Sequence, residues 1–389
     1  MSTHASAIPY GRLGRLFLVA ALVLLALGLV SRTSFFAGRG EAPAAQEEAI
    51  GGGEVAQPGA LEDEEFVPPL GWVVPFGAIL LVVAIFPLVP RLNSFWESNR
   101  NKLLVSAVAG TPVVLYLWQH DPAHVLQPGL EYFQFLALLT ALFIVAGGVH
   151  LAGNLEAAPR VNTAFLATGY VLASVVGTTG AAMVLIYPLL RTNSERQFKA
   201  HTVIFFIFLV CNAGGLLTPI GDPPLFLGYL RGIGFFWFMK LLPLWLFLGV
   251  LLLALYYALD RRYYAREAPE SLRLDADHKE GVGVIGVFNI ALLAVVVGSV
   301  AASVATPYRE AIMAAAAGSS LLYADRSQRA RRAREGNHFN FHAILEVAAV
   351  FAGIFAAMMP ALILLNRRGA ALGVDQPLEF FYATGLFSS

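Results

Sequence analysis

Asn212-Ala-Gly-Gly-Leu-Leu-Thr-Pro-Ile-Gly-Asp-Pro-Pro224 follows the apolar run His201–Cys211 and leads into more apolar sequence. Gly214, Gly215, Pro219, Gly221, Pro223 and Pro224 cannot all sit in a regular helix. Backbone that leaves the helix inside a bilayer must be buried in protein or line a cavity, because lipid cannot satisfy its polar groups. This stretch therefore reads as a helix broken inside a membrane, where unwound carbonyls can coordinate a cation and half-helix N-termini can hold an anion.

The rest of the chain supports a membrane setting. Of its 389 residues 57% are hydrophobic and 13% charged, and mean hydropathy is +0.66. A soluble domain carries about 25% charged residues. The formal net charge of zero offers no electrostatic footprint for nucleic acid. One cysteine, Cys211, allows neither an internal disulfide framework nor a cysteine zinc cluster.

Runs long enough to cross a bilayer are expected at about 67–90, 103–119, 132–149, 201–224 (broken), 237–259, 284–304, 310–323 and 341–366. Phe17–Val30, preceded by Arg12 and Arg15, reads as a signal peptide or signal anchor, with cleavage slightly favoured. Residues 31–66 read as an acidic disordered linker. Four basic clusters mark cytoplasmic loops: Arg91–Lys102, Arg191–Lys199, Arg261–Arg266 and Arg326–Arg334. The alternation closes if segment 162–190 enters and leaves on the same side, a re-entrant hairpin broken at Gly177-Thr178-Thr179-Gly180. Arg231 and Arg367-Arg368 fall on the side so assigned as periplasmic.

Phe165-Leu-Ala-Thr-Gly169 recurs as Phe381-Tyr-Ala-Thr-Gly385 at an offset of 216, and Glu131 with its helix recurs as Glu346 at an offset of 215. The two copies run in opposite directions through the membrane. Inverted repeats with broken helices are the architecture of secondary transporters. The expected organisation is scaffold helices over 67–130, a first repeat over 131–260 and a cytoplasmic loop with scaffold helices over 261–340. A second repeat starts at 341, and its full counterpart would run to about position 476.

Asp222 is the sharpest candidate for chemistry. An intramembrane carboxylate is costly and usually functional. It can bind Na+ through its oxygens or carry a proton; the bland alternative is an N-cap preceding Pro at the first helical position. Thr178 and Thr179 at the hairpin tip offer hydroxyls, against the alternative that they bond their own backbone. Asn212, Gly215 and Thr218 complete the candidate set. Glu346, and less so its counterpart Glu131, is a second possible proton carrier, with a water-facing interface residue as the alternative. His201 and His342 read as solvated residues at helix ends, and Phe235–Phe238 as an aromatic belt. Pro219-Ile-Gly-Asp222 is a poor match to an intramembrane aspartyl protease, which needs a second carboxylate sharing a proton.

Asn212–Gly228 together with Gly177-Thr-Thr-Gly-Ala-Ala-Met183 resembles NhaD-type sodium:proton antiporters of the ion transporter superfamily, which also holds citrate, dicarboxylate and arsenite transporters. The resemblance runs from about Val67 onwards. It implies an all-α integral membrane fold with two re-entrant hairpins and two broken helices about a midplane site, a dimeric scaffold and elevator-type movement. Thr178 and Thr179 match its first hairpin tip, and Asn212, Gly215, Thr218 and Asp222 its first broken helix. Ser388-Ser389 would open the second hairpin. The expected activity is Na+(Li+)/H+ antiport across a bacterial cytoplasmic membrane, with Na+-coupled carboxylate or other anion transport as the alternative. No enzymatic step or cofactor is expected beyond the transported ion, and the expected partners are the bilayer, Na+, H+ and a second copy of the chain.

Overall fold

The computed structural model describes residues 9–37 and 66–368. The echo at Phe381–Gly385 and the serines at 388 and 389 lie outside the described residues, as does most of the expected linker.

The chain is helical almost throughout. In order, the helices are α1 (Tyr10–Ala37), α2 (Val74–Ile85), α3 (Pro90–Trp96), α4 (Asn99–His120), α5 (Ala123–Ala146), α6 (Pro159–Val176), α7 (Thr178–Thr192) and α8 (Ala200–Phe206). They continue with α9 (Pro223–Leu230), α10 (Leu242–Tyr264), α11 (Pro269–Asp277), α12 (Val287–Ala301), α13 (Tyr308–Arg326), α14 (Gln328–Gly336) and α15 (His342–Arg368). Among the described residues six helices are long and apolar enough to cross a bilayer, or seven if one bent pair counts as a span. An all-α membrane architecture follows.

That bent pair corrects one expected span. The run at 67–90 is not a single helix: Leu70–Ile85 and α3 meet at 109°. Pro90 explains the break, since a proline disfavours helical backbone in the residue before it, and Val89 is extended with φ −93° and ψ 116°. The all-helical reading also missed a two-stranded ribbon, β1 (His150–Asn154) antiparallel to β2 (Glu280–Ile285). His150 pairs with Ile285 and Asn154 with Glu280, and the register slips between Ala152 and Asn154, where Gly153 has φ 106°.

The contacts divide the chain into two compact units, and the boundary falls within α5 between Phe133 and Gln134. Among the described residues, one unit comprises 66–133 and 342–368. Its centre is α4 packed on α15, around Val113, Leu117, Met359 and Ile363. Gly110 faces Ala356, and Gly353 faces Ser106 and Ile79, with no room for a methyl at either glycine. Small residues at a helix crossing allow this closeness where no hydrophobic effect drives association. Lys102 of α4 meets Glu346 of α15 at 2.5 Å.

Among the described residues, the other unit comprises 9–37 and 134–341. The apolar run at Phe17–Val30 lies inside a helix of 28 residues, α1, that packs along α13. Gly14 lies against Gly318 and Leu322 there, and Gly28 against Tyr308. In the same unit α6 packs on α7, on α10 and on the irregular turns that follow α8. Those turns carry the site.

Candidate functional site

Helices α6 and α7 are separated by a single residue, Gly177, with φ 83° and ψ 152°. Few side chains tolerate that backbone, so glycine is what lets the chain reverse there. A Cβ at Gly177 would also come within 3.0 Å of the Ile220 carbonyl.

After α8 the helix loses its regularity in two stages. Ile207–Asn212 is a π-helical turn, and Ala213–Leu217 a 3-10 turn. The glycines explain where this backbone goes. A Cβ on Gly214 would meet the Tyr170 carbonyl at 2.8 Å and Ala173 at 2.9 Å. The Gly214 carbonyl takes hydrogen bonds from the Ser174 hydroxyl and, at 3.3 Å, from the Trp245 indole. Trp245 stacks on Tyr170 at 4.2 Å, and the Tyr170 hydroxyl donates to the Trp245 carbonyl at 2.8 Å. Carbonyls freed by the break are thus satisfied by protein, as the lipid setting requires.

The loop then folds back on itself. A Cβ on Gly215 would strike the Gly221 carbonyl, and one on Gly221 would overlap the Gly215 carbonyl. The Gly221 carbonyl accepts two bonds from the hairpin tip: from the Thr178 amide at 3.1 Å and from the Thr178 hydroxyl at 3.2 Å. Gly177, Thr178, Thr179, Ile220, Gly221 and Pro223 line a small cavity of about 20 Å³. That is room for one water or one dehydrated small ion.

Asp222 is the residue before α9, and its carbonyl accepts the amides of Leu225 and Phe226. Its carboxylate makes no capping bond. The half-buried side chain has no hydrogen bond or ion pair among the described residues. The capping alternative therefore lacks its defining interaction.

The structure brings Thr178, Thr179, Gly215 and Asp222 to one place, where the N-termini of α7 and α9 also arrive. The other candidates are disposed differently. The Thr218 hydroxyl donates to the Ser174 carbonyl at 2.5 Å, which pins the loop to α6. Asn212 is exposed. Glu346 belongs to the other unit and is paired with Lys102, and Glu131 is buried in that same unit.

One expectation is overturned. His201 is buried rather than solvated, and its Nε2 lies 2.8 Å from Asp260 Oδ1. Asp260 is wholly buried and also takes Arg196 at 2.7 Å. Arg196 reaches Glu267 at 3.4 Å and donates to the Ala157 carbonyl at 3.3 Å. Asn162 and Asn193 exchange amide bonds at 2.8 and 2.9 Å beside it. This network joins α6, the end of α7, α8 and α10. Arg196 falls in a basic loop cluster and Asp260 abuts Arg261-Arg262 at a helix end, so pairing between these distant residues leaves no local signal in the sequence.

A family model described as "Putative citrate transport" matches residues 66–389. No curated protein and no solved structure matches the chain.

Proposed function

We infer the function from one premise: this chain belongs to the citrate-transport family that its residues 66–389 match. It is a multi-pass membrane protein and a secondary transporter. The finer reading is a carrier of di- and tricarboxylates driven by a coupled cation, Na+ or H+, in which Asp222 takes the cation.

The observation that carries this reading is the placement of the unbonded Asp222 carboxylate at the N-terminus of α9, beside the N-terminus of α7. Each helix N-terminus presents roughly half a positive charge. Two of them nearly offset one carboxylate, so the site with Asp222 ionised is close to neutral. A cation or proton on Asp222 leaves it with about one net positive charge, which favours an anion. Anion binding then waits for the cation, and that is coupling. Thr178 and Thr179 add hydroxyls, and movement of the hairpin and broken helix as one body would carry the site across the membrane.

A second reading is Na+(Li+)/H+ antiport, the activity of the NhaD-type proteins that the motifs resemble. It is favoured by the cavity, which at about 20 Å³ suits an ion and not a citrate.

Proteoliposomes holding the purified chain test both. We expect uptake of labelled citrate or succinate that follows a Na+ or proton gradient and is lost in Asp222→Asn. Na+-dependent dye dequenching without carboxylate uptake would replace this reading with antiport. Absence of both activities would remove both.

A further inference from the structure

A second polar recess lies in the unit of residues 9–37 and 134–341, at the start of α13. Its volume is about 370 Å³, ample for a small organic acid. Gln134, Tyr229, Ser303, Thr306 and Arg309 supply its polar wall. Among the described residues no acidic side chain lines it.

Arg309 is the informative residue. Its side chain is 6% exposed, in a chain that buries few charges without a partner. Its Nε and Nη2 both donate to one oxygen of Glu310, at 3.0 and 2.7 Å. Its Nη1 end has no partner among the described residues. A guanidinium offers five N–H donors in a fixed plane, so this one is committed on one edge and open on another. Two hydroxyls stand on the same wall. Gln134 donates to the Thr306 oxygen at 3.0 Å, which leaves the Thr306 hydrogen free to donate outward. Ser303 is the other.

Charge-assisted donation from a guanidinium beside two hydroxyls, with no acid opposing it on the wall, is chemistry that recognises a carboxylate. We propose that this recess is an outer binding site for di- and tricarboxylate anions, with Arg309 as the principal contact and Thr306 and Ser303 as secondary donors. The carboxylate class rests on the transport reading given above; the position of the site does not.

The recess is linked to the broken helix. The Arg309 guanidinium lies 5.9 Å from the Phe226 ring and 5.7 Å from the Tyr229 ring, both on α9. Helix α9, 8 residues long, follows directly on Asp222, so these ring contacts tie the recess to the helix that the coupling carboxylate precedes. The recess also opens at the end of α13 away from Arg326 and the arginine-rich α14. That places it on the side assigned as periplasmic, where it would collect substrate ahead of the central site.

The test is equilibrium binding of labelled citrate to the purified full chain in choline buffer at pH 8, where the central site lacks its coupling ion. We expect saturable binding that is weakened about tenfold or more when Arg309→Met and Glu310→Met are made together, which removes the pair without stranding a charge. Thr306→Val leaves the ion pair intact and should also weaken binding, so loss of the site is separable from loss of the fold. Unchanged affinity in both variants, or no binding by the parent chain in choline, overturns the outer site. Na+-driven uptake in the same preparation reports on the carrier reading separately and survives that result.

Discussion

Thr178 donates twice to the carbonyl of Gly221, from its amide at 3.1 Å and from its hydroxyl at 3.2 Å. Residues 43 positions apart are thereby clasped, and the hairpin tip and the broken helix share one oxygen. The clasp closes only because Gly215 and Gly221 allow the loop to double back under it.

Substituting either glycine tests the clasp. At Gly221 a Cβ would overlap the backbone of Gly215, which cannot rotate away as a side chain could. Gly221→Ala should cost about 1–3 kcal/mol, the range for overpacking, and should abolish transport. Gly77→Ala is the control. It sits inside α2 with nothing within 4 Å, so alanine there should be neutral or stabilise by about 0.5–1 kcal/mol. Thermal unfolding in detergent, read beside uptake in liposomes, distinguishes the two. Equal behaviour of the two variants would mean that the loop does not need its glycines.

Asp222 separates a cap from a transport residue. Loss of a true N-cap side chain costs about 0.5–2 kcal/mol. Here no capping bond exists, so Asp222→Ala should shift stability by no more than about 0.5 kcal/mol, as an uninvolved position does. Cation-driven uptake should nevertheless be lost. A clear drop in melting temperature with residual uptake would restore the capping role.

Glu346 can be read as a proton carrier or as the partner of Lys102. Lys102 has a side-chain exposure of 4% and sits over the Trp96 ring at 5.7 Å, so its charge depends on the carboxylate 2.5 Å away. Glu346 itself is 41% exposed, which weakens the pair by solvent screening. Glu346→Gln alone should cost about 1–2 kcal/mol, because it strands a buried ammonium. Adding Lys102→Met should recover most of that loss and leave transport intact. A stable but inactive double variant would show that the carboxylate carries protons.

Much of this was legible in sequence, and the reasons are local. Helices α4, α5, α10 and α15 announce themselves as long apolar runs. The break after Cys211 and the reversal at Gly177 are written in glycine and proline, which constrain backbone wherever they stand. The ribbon of β1 and β2 was not legible, because its 5- and 6-residue strands alternate no clear apolar face and pair across more than a hundred residues. Nor was the cluster of Arg196, His201 and Asp260. Basic residues at helix ends normally mark solvent, and here two distant segments bury them together. The recess at Arg309 escaped for a related reason: Arg309 and Glu310 are adjacent, and adjacent opposite charges read as a water-facing helix start.

Arg334 provides the last test, because it is a buried charge with no carboxylate partner among the described residues. Its side chain is 1% exposed; Nη2 donates to the Ser320 hydroxyl at 2.6 Å, while Nε and Nη1 have no partner. The Phe339 ring, at 4.7 Å, and the Tyr10 ring, at 5.6 Å, supply the remaining stabilisation. Burial pushes its guanidinium down to about 10, well below the usual arginine range. At 1.36 kcal/mol per unit, that corresponds to a cost of about 3 kcal/mol for holding the charge inside. The sign follows from the lowered value. Below pH 10 both folded and unfolded chains are protonated, so the full cost is present at neutral pH. As pH rises above about 10 the folded chain sheds its proton before the unfolded one, and the cost fades. Arg334→Met keeps the volume and removes the charge at every pH. It forgoes about 1 kcal/mol for the Ser320 bond and about 1 kcal/mol for the rings, so the variant should be about 1 kcal/mol more stable at neutral pH. Thermal unfolding of the two proteins side by side measures this. A variant that melts lower would mean that the arginine is worth more than its visible contacts, and that an anion or water completes its shell.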